Sequence, residues 1–236
     1  SILDTNGNEL LLLTATGSAV NELTLANAST GNGPILSATG ETNVDINLNP
    51  KGTGVLKSGA VAVKKAGLET MWVPSSAMYG STTNGADAQQ VETTALKPDM
   101  KVLDFDAGTN EFSQFSVAFP KSWNEGTITY QVFWTPSNTN TGNCLFGLQG
   151  ISIADGDPID AAFNAAVLIT DAGIGTVEDQ QVSPVSSAVT VKSAAVDTQT
   201  YFQFSRDATA GADTFTGDAR VLGIKIFFTT DAANDA

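Results

Sequence analysis

"TITYQVFW", residues 127–134, places Ile128, Tyr130, Val132 and Trp134 at every second position. Period two is the spacing of side chains along one face of a β-strand, and aromatic and β-branched groups favour that pleated surface. Working outward, the same spacing recurs. "VLDFD" offers Leu103 and Phe105, and "FSVAF" offers Phe115, Val117 and Phe119. "CLFGLQGISI" is apolar on both faces, as a central strand is. "AAVLIT", "SAVTV" and "TYFQF" follow, the last with Phe202 and Phe204, and "VLGIKIFF" aligns Leu222, Ile224, Ile226 and Phe228. About eight strands in this region predict a two-sheet sandwich, immunoglobulin-like or jelly-roll, with uneven spacing and long loops favouring the jelly roll.

The beginning of the chain differs in kind. All twelve Phe, three Trp and three Tyr lie between residue 72 and the end of the 236-residue sequence. "TNVDINLNPKGTGVLKSGAVAV", residues 43–64, alternates Val44, Ile46 and Leu48 with polar groups, and then offers only Val55, Val61 and Val63. Burying the first three gains about 5–9 kcal/mol. Ordering about eight residues costs about 12 kcal/mol. Such a strand cannot stand alone, and identical strands from sister chains are the obvious neighbours. "ELTLANASTGNGP" and "VDINLNPKGTGV" share an order of alternating apolar residues, Asn and a Gly-x-Gly turn, a weak internal repeat. Alternation stops at "VKKAGLETMWVP", residues 63–74. The expected organisation is therefore a β-rich shaft and trimerisation segment over 1–65, a linker over 66–74, and a jelly-roll-like sandwich over 75–236. The fold class is all-β, an intertwined or extended trimeric shaft followed by the sandwich.

Composition narrows the function. The net charge is −14. It is concentrated after residue 70, where seven basic face nineteen acidic side chains. A surface this acidic repels phosphate backbones, so nucleic acid is not expected as a partner. No run of about 18 apolar residues is present, so no membrane insertion is expected. One cysteine, Cys144, precludes an internal disulfide and reads as a small buried apolar residue. The sequence contains no His, which removes the commonest general base and any Ser-His-Asp arrangement within one chain. "GNGPIL" and "PKGTG" fail the nucleotide-binding patterns and read as turns. No cofactor and no catalytic residue are expected.

Candidate sites are few. "ADGDPID" collects Asp155, Asp157 and Asp160, oxygen donors of the kind Ca²⁺ takes, although Pro158 and Ile159 break the EF-hand spacing. A solvated acidic turn is the simpler reading. "RDATAGADTFTGDAR" holds Arg206, Asp207, Asp213, Asp218 and Arg220. It reads either as a carboxylate pair of a glycosidase or, more simply, as an Arg–Asp pair pinning a long loop between two strands. Trp72, Tyr79 and Trp123 stand outside clean alternation, where they either stack on sugars or, more simply, cap the ends of the core.

Residues 21–59 resemble the β-rich shaft module of tail fibres and other appendages of tailed bacteriophages, through alternating Leu/Ile with Asn, "GNGP" and "NPKGTGVL". From "WVPSSAMYG" onward the chain is similar to terminal domains of fibre-like phage and prophage proteins. The resemblance implies homotrimeric fibres on a virion, joined to other virion proteins through an N-terminal anchor absent here, with the distal domain engaging host-surface glycan or protein. It transfers no receptor-binding residues. The expectation is a non-enzymatic virion component on the particle surface. The alternatives are a polysaccharide-degrading tailspike and a secreted bacterial adhesin.

Overall fold

The computed structural model describes residues 2–14, 16–52, 54–59, 61–63 and 67–231. It divides the chain into two units, Ser1–Val63 and Lys64–Ala236.

Among its described residues the first unit contains three separate two-stranded antiparallel sheets. β1 (Ile2–Leu3) pairs with β2 (Glu9–Leu11), β3 (Glu22–Ala26) with β4 (Ile35–Thr39), and β5 (Lys57–Ser58) with β6 (Val61–Ala62). Asp4 shapes the first turn by accepting the N–H groups of Asn6 and Asn8 at 2.8 Å each, an Asx-type device. The strand expected at 43–49 does not form within one chain: Ile46 and Leu48 are exposed and without a ladder partner. Among the residues of this unit whose burial is described, none is buried, and Leu25 is 80% exposed. A lone two-stranded hairpin has no face on which to bury a side chain.

The second unit is a sandwich of two antiparallel sheets, and eleven strands lie among its described residues. One sheet is built from β7 (Gly67–Pro74), β9 (Asp87–Glu92), β10 (Asp99–Phe105), β12 (Thr129–Pro136), β15 (Gln181–Val182) and β17 (Ala219–Thr230). Its order is β15-β12-β17-β10-β9, with β7 on the far half of β17. The other sheet runs β14-β13-β16-β11-β8. Its strands are β8 (Tyr79–Gly80), β11 (Glu111–Val117), β13 (Asn143–Ile153), β14 (Val167–Ala172) and β16 (Gln199–Arg206).

The core between the sheets consists of the alternating residues. Ile128, Tyr130, Val132 and Trp134 meet Phe105, Phe115, Phe146, Phe202 and Phe204, all fully or almost fully buried. Offset and edge-on ring pairs link them, as between Phe105 and Phe204 at 5.4 Å and Trp134 and Phe146 at 5.6 Å, geometries that suit the ring quadrupole.

Three expectations require correction. Residues 67–74, assigned to a linker, are strand β7, whose Val73 enters the core; Lys64–Ala66 lie outside the described residues. In "VLGIKIFF", Val221 rather than Leu222 faces inward with Ile224, Ile226 and Phe228. Phe133 pairs with Gly223 and Trp134 with Val221, so Leu222 is skipped in a β-bulge that reverses the alternation. "SAVTV" forms no strand; Val189 joins the sheet through a single bridge to Ile128.

Gly150 of β13 faces inward opposite Phe202, and a Cβ there would lie 2.6 Å from a Phe202 ring carbon. Phe202 is in turn stacked on Phe115 at 5.1 Å. Gly150→Ala is therefore expected to lower stability by about 1–3 kcal/mol through overpacking, measured as a shifted urea midpoint.

Candidate functional site

On β11 and β16 the core residues Phe115, Phe202 and Phe204 alternate with Gln114, Ser116, Tyr201 and Gln203, and on β13 Gln149 lies between the inward Leu148 and Gly150. A period of two puts Gln114, Ser116, Gln149, Tyr201 and Gln203 on the opposite, outer face, which they share with Phe112, Leu145 and Ile151. Gln114 pairs in register with Gln203, and Gln203 with Gln149. Tyr79 of β8 is the register partner of Gln114. The outer face thus carries a row Tyr79–Gln114–Gln203–Gln149 across four adjacent strands. At the usual strand separation the row is about 14 Å long.

The side chains of this row are only partly engaged. Gln149 Nε2 donates to Gln203 Oε1 at 2.6 Å. That leaves the Gln203 amide nitrogen and the Gln149 carbonyl for another partner, while the Gln114 amide makes no hydrogen bond among the described residues. Tyr79 is 52% exposed. One position along the same face lies the row Ser116–Tyr201–Ile151. Tyr201 is held in place: its hydroxyl donates to Gln199 Oε1 at 3.1 Å, and Gln199 Nε2 donates to Ser116 Oγ at 3.0 Å.

Two hollows open on this face. One, of about 490 Å³, is lined by Tyr201, Gln199, Ile159, Asp155, Asp157 and Asp197 among others. The second, of about 440 Å³, is lined by Gln114, Gln203, Phe112 and residues 81–83. Both are shallow and open to solvent, surface hollows rather than enclosed pockets. Tyr201 and Gln203, two residues apart on β16, place the hollows side by side.

The other candidate residues have different fates. Asp155, Asp157 and Asp160 are exposed; Asp157 closes the turn by accepting the Ala154 N–H at 3.2 Å. Among the described residues no three His, Cys, Asp or Glu side chains are grouped to hold a metal ion. Trp123 caps the core, buried and stacked on Phe119 at 4.1 Å. Trp72 and Tyr79, also expected as caps, are instead exposed, and Trp72 (45%) lies edge-on to Phe133 on the outer face of the six-stranded sheet. Cys144 is buried, and desolvation pushes its thiol far above the ordinary range, so it is no nucleophile.

Arg206 and Asp213 form the loop-pinning pair. Both are essentially inaccessible and joined by two hydrogen bonds of 2.9 Å. The remaining guanidinium N–H groups donate to the carbonyls of Phe105 at 3.1 Å, Gly217 at 2.7 Å and Phe215 at 2.5 Å. All five donors are used. Burial is the largest single influence and works against the charge, but the Asp213 hydrogen bonds and the nearby negative charges of Asp213 and Asp218 together hold the guanidinium above its ordinary pKa.

Asp218 belongs to a separate acidic pit of about 130 Å³, lined also by Asp87, Gln89, Asp104, Asp106 and Glu111. Arg220 lies 3.7 Å from Asp104. Burial first, and then the neighbouring Asp218 carboxylate, raises the Asp104 pKa against the pull of Arg220. Burial likewise raises Glu111, helped by Asp106, Asp87 and Asp218, although the Asp106 N–H opposes it.

No protein-family model and no curated protein matches the sequence. Among solved structures, the chain is similar to the CBM36-1 domain of a multidomain xylanase from the hindgut metagenome of Trinervitermes trinervoides, at 11% identity and TM-score 0.36, covering 67% of this chain and 96% of that one. It is similar to a carbohydrate-binding module CBM36 in complex with calcium and xylotriose, at 13% identity and TM-score 0.36, covering 66% and 98%. It also matches infectious bursal disease virus Gx strain at 14% identity and TM-score 0.34, covering 86% of this chain and 40% of that one. At these scores the ligands of the neighbours are not carried over to this chain.

Two outcomes follow from the charged groups. Asp213→Ala leaves Arg206 buried without its counter-ion and is expected to cost about 3–5 kcal/mol in urea unfolding, whereas Asp207→Asn changes little. Glu111 has a raised pKa in the folded state, so protonation favours folding and this contribution is lost as pH rises above its ordinary value of 4.5. Glu111→Gln is therefore expected to melt above the parent at pH 7, with the gap closing as pH falls toward 4.5.

Proposed function

We propose that this chain is a non-enzymatic subunit of a bacteriophage appendage, a tail or capsid fibre on the virion surface. In this reading it assembles as a homotrimer whose first unit is a shared β stalk and whose jelly-roll-like sandwich is the tip that attaches to host-surface glycan. The observation that carries it is the first unit. Leu10, Leu12, Leu13, Leu23, Leu25 and Leu48 all stand in water in the single chain. Each would gain about 1.5–3 kcal/mol on burial. Hairpins this thin become stable when symmetry-related copies supply the missing faces.

The resemblance of "GNGP" and "NPKGTGVL" to phage shaft modules supports the same reading. So does the partly engaged amide row flanked by tyrosines on the sandwich, with its two hollows. A polysaccharide-cleaving spike finds less support. Asp213 is committed to Arg206, and the acidic pit, at about 130 Å³, is below the roughly 300 Å³ at which ligand pockets begin.

Light scattering on the intact chain is expected to give about three times 24.4 kDa. A monodisperse monomer that retains its β structure would overturn the assembly.

A further inference from the structure

We infer that the outer face of the five-stranded sheet binds an uncharged, extended glycan along the row Tyr79–Gln114–Gln203–Gln149, with Tyr201 beside it. This rests on the glycan-attachment reading above and specifies its ligand. Three observations lead to it.

The first is hydrogen-bonding chemistry. A side-chain amide carries a donor and an acceptor at one point, matching a sugar hydroxyl, which is both. Gln114 is unpaired among the described residues, and Gln149 and Gln203 spend only one hydrogen bond on each other. Three register-matched amides on adjacent strands make a rigid ladder, because their backbones are fixed by the sheet.

The second is the placing of aromatic rings. Tyr79 stands at one end of the row, and Tyr201 is fixed one position along the face through Gln199 and Ser116. A tyrosine presents an apolar ring and a polar tip, which suits the C–H face and the hydroxyl rim of a pyranose together. The length of the row and the two adjoining hollows, of about 490 and 440 Å³, fit several linked sugar units better than one.

The third is charge. No Lys or Arg is among the described residues lining either hollow, and Asp155, Asp157 and Asp197 border the first. With a net charge of −14, the face repels uronic, sialic and phosphorylated glycans. A second copy of this chain is a poorer occupant, because subunit interfaces bury apolar centres and this row is made of amides.

The test is titration calorimetry of the intact protein with cellohexaose, xylohexaose and mannohexaose, set against hyaluronan and alginate, alongside binding to host cells. Binding to a neutral oligosaccharide is expected. Tyr79→Ala should weaken it about tenfold, and Gln203→Ala about three- to tenfold, with melting temperatures unchanged. Trp72→Ala, on the other sheet, should bind as the parent does. Preference for the anionic polymers, or cell binding unaffected by Tyr79→Ala and Gln203→Ala, overturns this inference and leaves the attachment reading standing. A change in oligomeric mass in those variants overturns it in favour of a subunit interface. Binding to neither polymers nor cells removes the attachment reading as well.

Discussion

A guanidinium cut off from water must find a partner for every N–H, and Arg206 finds five. Those partners come from different places. Phe105 closes β10 in one sheet; Arg206 closes β16 in the other; Asp213, Phe215 and Gly217 belong to the segment that leads into β17. Asp213 also accepts the Leu145 N–H of β13 at 2.9 Å, and the guanidinium lies 5.6 Å over the Phe215 ring. One buried charge therefore ties the two sheets to each other and delivers the chain to the start of β17. Replacing such a network with well-packed apolar groups often costs nothing, but removing one member of it does.

The sandwich separates its core from its exposed amide row by the simplest rule of a pleated strand. In β16, Phe202 and Phe204 make the core while Tyr201 and Gln203 make the outer face, and the two sets alternate residue by residue. The core rings fix the strand positions, and the strand positions fix the amide spacing. The amide row is thereby as rigid as the hydrophobic interior behind it, without contributing to that interior.

Much of this was readable from the residues, and the failures have physical causes. Ile128, Tyr130, Val132 and Trp134 share an inward face because the extra residue of the bulge lies in β17 and leaves their own alternation unbroken. Leu222 was misplaced because a bulge is a property of a strand pair, and one strand's alternation does not reveal it. Residues 67–74 resembled a linker because Lys-Lys and Gly interrupt the pattern just before Met71 and Val73 turn inward. That an Arg–Asp pair pins the loop was legible from the charges flanking it, but which of Asp207, Asp213 and Asp218 meets Arg206 was not, because that depends on how the loop folds back onto the strand end. The amide row was not, because glutamines between phenylalanines look like filler until register sets Gln114, Gln203 and Gln149 side by side. Tyr79 and Trp72 were expected at the core for the same reason: near a strand end, cross-strand pairing decides which way a ring faces.

β17 pairs with β12 from Ala219 to Phe227 along one edge and, along the other, with β10 at residues 219–221 and with β7 at residues 223–230, so the middle of the larger sheet is also the last of its described strands in chain order. During synthesis β7, β10 and β12 leave the ribosome long before the strand that joins them. Until β17 has emerged, β7, β10 and β12 lack the strand that joins them into one sheet, and Phe105, Tyr130 and Trp134 are carried on strands not yet assembled. Folding of the sandwich is thus a late, all-at-once event, and the unfinished chain depends on whatever shields its rings in the meantime.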